Sequence, residues 1–146
     1  MQPTIVRGAF LGLALILGAG SAAVAETIAL KANVNAQSQV PPNDTKGTGM
    51  ADITYDTASK NLTWTVTFSG LTGDPTAAHF HGPAEPGKNA PVVIMIGMNP
   101  TSPAKGSATL TDAQAADLLA GRWYVNIHTA AHRPGEIRGQ VVKGGN

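Results

Sequence analysis

Leu62, Trp64, Val66 and Phe68 alternate with Thr63, Thr65 and Thr67 in the segment NLTWTVTFSG (61–70). A period of two puts one face of a strand in a core and the other in water, as in antiparallel sheets. TIALKANVNAQ (27–37) repeats the pattern with Ile28, Leu30, Ala32 and Val34, and GTGMADITYD (47–56) precedes the turn Asp56–Asn61. AAHFHG (77–82), KGSATL (105–110), RWYVNIH (122–128) and EIRGQVV (136–142) read as further short strands between turn-forming residues. VVIMIG (92–97) does not alternate, and a continuous apolar run of that length predicts a buried strand. One helix is predicted over 111–120, with Thr111 as its cap, Gln114 completing a capping box, Gly121 as terminator and Ala115, Leu118 and Leu119 as its apolar stripe. The expected fold is all-β: an antiparallel Greek-key β-sandwich of seven or eight strands with one short helix.

The first 25 residues break this pattern. Arg7 precedes the apolar run GAFLGLALILGAG, and Ala23-Val24-Ala25 fits a small-x-small cleavage site. This predicts a secretory signal peptide over 1–25 and one domain over 26–146, located in the periplasm or secreted, with no membrane span after cleavage. Without Arg7, nine basic residues face nine acidic ones, which excludes nucleic acid or an anionic membrane as an electrostatic partner. The chain has no cysteine, so neither a disulfide nor thiolate chemistry is available to it. No G-x-S-x-G elbow, Gly-rich phosphate loop or H-E-x-x-H helix occurs, and no catalytic residue is assigned.

The chemistry-bearing residues are the four histidines. His79 and His81 stand on one side of a strand, with Phe80 opposite. In RWYVNIH, Trp123, Val125 and Ile127 take the apolar face, which leaves Tyr124, Asn126 and His128 on the other; His132 follows in the turn. If the two strands are neighbours, these imidazoles converge on one ion, copper by first preference and zinc by second. Asn126 and Glu85 are the expected acceptors for the imidazoles' other N–H groups. Met95 and Met98 read either as soft copper ligands or, more simply, as core fillers. Glu136 and Arg138, two apart on a strand, are expected to pair with each other. The competing reading has the histidines on a wet sheet face and a non-catalytic module that binds a protein or matrix partner, with the Thr63, Thr65 and Thr67 stripe as its surface.

HFHGPA, followed some forty residues later by LTDAQAADLLAGRWYVNIHTAAHRPGEIRGQV, resembles the CHRD domain, the module repeated in chordin and found singly in exported bacterial proteins. The resemblance spans Ile28 to Val142, with YVNIHT and GEIRGQ as its most specific parts. It implies a β-rich extracellular module and supports His79, His81 and His128 as site residues better than His132. In chordin the domain belongs to a protein that binds growth factors, and no general activity attaches to it. The chain is also loosely similar to Cu,Zn superoxide dismutase in its expected Greek-key sandwich, its export and its H-x-H strand. It lacks that enzyme's disulfide cysteines and a His- and Asp-rich zinc loop, so superoxide dismutase-like copper chemistry is the only enzyme reading. The expected function is metal storage, delivery or redox chemistry at a copper or zinc site, and the alternative is a binding module with no metal.

Overall fold

Strand alternation at the start of the domain produces a three-stranded meander, and the rest of the chain completes a nearly closed antiparallel sheet around it. A computed structural model describes residues 24–144, and the leader reading falls outside these apart from Val24 and Ala25. The strands are β1 (Thr27–Asn35), β2 (Thr48–Asp56), β3 (Asn61–Ser69), β4 (Pro75–His81), β5 (Val92–Met98), β6 (Ala104–Thr109), β7 (Tyr124–Thr129), β8 (Ile137–Gln140) and β9 (Val142–Lys143). The helix α1 (Asp112–Leu119) lies between β6 and β7. Spatially the order is β5-β4-β7-β8-β1-β2-β3-β6, with β9 paired to β1, and the terminal strands β5 and β6 touch. The architecture is thus all-β and antiparallel, between a sandwich and a barrel, as the alternation predicts.

Register explains the core. Leu30, Ile53 and Trp64 stand side by side across β1, β2 and β3, and Ala32, Ala51 and Val66 form the next row. All six are buried, and so are Phe80, Val125 and Ile127 from the opposite part of the sheet. Phe80 meets Trp64 edge-on, with ring centroids 5.3 Å apart. Burying side chains of this size contributes about 2–3 kcal/mol each. Helix α1 adds Ala115 and Leu118 to the same core, and its Thr111–Gln114 capping box is formed.

β8 and β9 run along β1 in one register, pairing Asn35 with Arg138, Lys31 with Val142 and Leu30 with Lys143. Gly139 permits this approach, because a Cβ there would lie 2.2 Å from the Asn33 carbonyl oxygen.

β5 departs from the expectation of a buried strand. It ends the sheet path, and two register shifts against β4 fall between Ala78 and His79 and between Phe80 and His81. These irregularities let Val93, Ile94 and Ile96 pack against the core while Val92, Met95 and Met98 are exposed on the other side. An unalternating apolar run is therefore an edge strand with bulges, not a strand covered on both faces.

Candidate metal centre

The sheet has two characters. On β1–β3 the face away from the core is exposed, whereas β7 is buried on both faces over most of its length. Covering segments, chiefly the loop 82–91 and the turn 130–136, create a polar layer outside β4, β7 and β8. In it His81 pairs across the strands with Tyr124 and then Gln140, His79 with Asn126 and then Arg138, and Ala77 with His128. The sequence builds this locally. Just past His81 the chain must turn beneath Trp123, and a Cβ on Gly82 would lie 2.5 Å from the indole Cδ1. The Gly82–Pro83 peptide is cis, and the Ala84 N–H then donates to the Arg122 carbonyl at 2.8 Å.

His79, His81 and His128 each offer a nitrogen, and the three nitrogens lie within 4.8 Å of one another. Their protonation follows from their partners. His81 Nδ1 is 2.9 Å from the Ala90 carbonyl oxygen and His128 Nδ1 is 2.7 Å from that of Arg133. A carbonyl only accepts, so in both rings Nδ1 carries the proton and Nε2 holds a lone pair. The Nε2 of His81 is buried without a hydrogen-bond partner, and that of His128 lies 3.1 Å from His79 Nδ1. Two nitrogens bound to one ion at about 2.05 Å stand about 2.9 Å apart at a right angle and about 3.3 Å apart at the tetrahedral angle. The observed 3.1 Å falls between these. An unpartnered lone pair in a buried place normally costs about 1–3 kcal/mol, and a cation would satisfy it. The donor set fits a transition metal that accepts imidazole.

Burial favours the neutral form of His79 and His81. Burial lowers the His79 pKa to about 4, helped by the adjacent His128 and His81. Burial also lowers that of His81, although its bond to the Ala90 carbonyl opposes this; His128 and the Arg138 guanidinium lower it further. Neutral imidazole is the form that binds a metal.

Arg138 organises the surroundings. It is 2 % exposed, and its guanidinium carbon sits 3.5 Å from the centroid of the Tyr124 ring. The same ring stacks on His81, with centroids 4.8 Å apart and planes 2° from parallel. Arg138 also donates to the Asn89 Oδ1 at 3.0 Å and to the Lys88 carbonyl at 2.6 Å. The Tyr124 hydroxyl donates to the Ala90 carbonyl at 3.3 Å, so β7 and β8 together fix the loop that presents this oxygen to His81. A guanidinium held by a ring and neutral oxygens keeps its place without a carboxylate.

Of the residues singled out in the sequence, His79, His81 and His128 come together and three others do not. His132 lies in a turn, its N–H bonded to the Thr129 carbonyl at 3.2 Å; it lines a hollow with Gln39, Asn43 and Pro134 and is not in the convergent group of His79, His81 and His128. Asn126 is on the expected face, but its Oδ1 accepts from Gln39 at 2.9 Å and its Nδ2 donates to the Pro134 carbonyl at 3.3 Å. Glu85 is exposed on the loop. The acceptors for the imidazole N–H groups are instead the carbonyls of Ala90 and Arg133, which side-chain chemistry does not reveal. Glu136 and Arg138 do not pair. Glu136 is fully buried and accepts from the Thr72 N–H at 2.9 Å, the Thr72 hydroxyl at 2.8 Å and the Thr129 hydroxyl at 2.7 Å. Burial would raise its pKa, but these hydrogen bonds, with His132 nearby, outweigh it and the net shift is downward. Met95 and Met98, read as soft copper ligands or, more simply, as core fillers, are exposed, which removes the core-filler reading.

No helix among the described residues is long and apolar enough to cross a membrane. No curated protein and no solved structure matches the chain. The family model described as the CHRD domain matches residues 30–141, from the first buried residue of β1 to the residue just past β8 and therefore through every residue of the triad. The chain belongs to the CHRD-domain family.

Proposed function

We propose that His79, His81 and His128 hold one transition-metal ion, copper in first place and zinc in second, in a protein exported to the periplasm or beyond. The observation that carries this is the buried, unpartnered Nε2 of His81 beside the His79–His128 nitrogen pair at 3.1 Å. Copper leads because imidazole sites follow the Irving–Williams order, and no thiolate is present to favour softer alternatives. The backbone carbonyls of Ala90 and Arg133 fix the tautomers, and the Tyr124–Arg138 stack fixes the His81 ring plane. Three imidazoles leave a further coordination position, open to another side chain, a small ligand or a receiving protein. Such a site suits metal storage or delivery, and bound copper would supply one-electron chemistry of the superoxide-dismutating kind. The leader over 1–25 supports export, and the balanced charge supports neither nucleic acid nor anionic lipid as partner.

The rival reading, a metal-free module for a protein or matrix partner, draws on the threonines of β2 and β3, where Thr54 and Thr63 are exposed and pair through their hydroxyls beside half-buried Thr65 and exposed Thr67. The experiment that separates the two is metal analysis of protein purified without chelator or affinity tag, followed by exposure to copper and zinc. About one equivalent of copper or zinc per chain is the expected result. Protein that arrives metal-free and takes up neither supports the rival.

A further inference from the structure

β5 lies beside β4 on the side away from β7, and its irregularities place Val92, Met95 and Met98 at intervals of three on the outer, histidine-bearing face. Met95 is the register partner of His79. Met98 is the partner of Ala77, whose neighbour on the other side is His128. Directly opposed residues of an antiparallel pair have Cβ atoms about 5 Å apart, and a methionine's rotatable bonds let its sulfur swing over a neighbour's ring. Met95 is 48 % exposed, so core packing does not hold its thioether in place and the sulfur can turn toward His79. Met98 is 65 % exposed and separated from the nearest imidazole by a whole strand position.

We infer that Met95 supplies a thioether as the fourth ligand of the His79–His81–His128 site and makes it a site for copper(I) as well as copper(II). The inference rests on the triad reading and deepens it, by naming the oxidation state that the site can retain. A thioether is a neutral, soft donor that favours copper(I), whereas zinc is served by imidazole and gains little from it. Three nitrogens and one sulfur give copper(I) a full four-coordinate shell without any cysteine, so the ion stays bound in either oxidation state. That property fits cargo exchanged between partners better than a site confined to copper(II).

The test compares metal-free wild type, Met95→Leu and Met98→Leu. Copper(I) affinity is measured by competition with a chromophoric copper(I) chelator under anaerobic conditions, and zinc affinity in parallel. Both methionines are exposed, so neither change disturbs the fold. The expected result is a loss of at least about tenfold in copper(I) affinity for Met95→Leu, with zinc affinity within about twofold of wild type and Met98→Leu unchanged for both metals. Met95→Leu that holds copper(I) as tightly as wild type overturns the inference and leaves the triad standing, and so does an equal loss for both metals. Wild type that binds neither copper nor zinc removes the triad reading and the inference with it.

Discussion

Acid should destabilise the metal-free protein before its carboxylates titrate, through His79 and His81. His79 has an ordinary pKa of 6.5 and is held at about 4 in the fold, chiefly by burial and then by His128 and His81. The folded value lies below the unfolded one, so between pH 6.5 and about 4 the unfolded chain binds more protons. Stability is therefore fully present above pH 6.5 and falls as pH drops through this window. The gap corresponds to about 3–4 kcal/mol at most, and solvent access to this half-buried ring reduces it to about 1–2 kcal/mol. Roughly half of that is lost by pH 5. With a urea slope of about 1–3 kcal/mol/M, the unfolding midpoint should fall by about 0.5 M between pH 7.5 and pH 5. Glu136 does not interfere, because its pKa is lowered from 4.5 and it stays ionised over this range. The assay is urea denaturation in the presence of a chelator at several pH values, with His79→Gln beside wild type. The variant should retain only the shallower slope due to His81, whose pKa is also lowered. A wild-type midpoint that does not move from pH 7.5 to pH 5, or a variant that falls as steeply as wild type, would refute the reasoning.

Two further changes test the packing around the site. Gly82→Ala places a methyl 2.5 Å from a fully buried Trp123 ring and should cost about 1–3 kcal/mol by overpacking, read as a lower urea midpoint, with weaker metal binding because His81 is adjacent. Glu136→Gln can keep an amide oxygen on the Thr72 N–H only by turning its NH2 to the Thr72 and Thr129 hydroxyls, which then lose their acceptor, and should cost about 1–3 kcal/mol in the same assay; stability equal to wild type would mean that Thr72 and Thr129 do not depend on the carboxylate.

Much of this fold is legible because alternation is a direct image of burial. Leu62, Trp64 and Val66 are buried while Thr63 and Thr67 are exposed, and the capping box at Thr111 has the same immediacy because its partners are three residues apart. The sides taken by His79, His81 and His128 follow from the same period of two. β5 was not legible in this way. Its bulges change the period from two to three along one strand, and nothing in VVIMIG marks where the extra residues fall. Asn126 shows the limit for the site itself. Its face is predictable, but its partners, Gln39 and Pro134, come from distant loops. Glu136 and Arg138 look like an ion pair in one dimension, yet two threonines and a tyrosine ring capture them separately. The carbonyls of Ala90 and Arg133 carry no side-chain signature at all, although they decide which nitrogen of His81 and of His128 is free.

The central claim is that three histidines share one ion. The most direct test is calorimetric titration of copper and of zinc into metal-free wild type, His79→Ala, His81→Ala, His128→Ala and His132→Ala. If the claim holds, each of the first three variants loses metal affinity by at least about a hundredfold, because a ligand is removed outright, while His132→Ala binds as wild type does. Equal affinity in all five proteins, or a loss confined to His132→Ala, would contradict it.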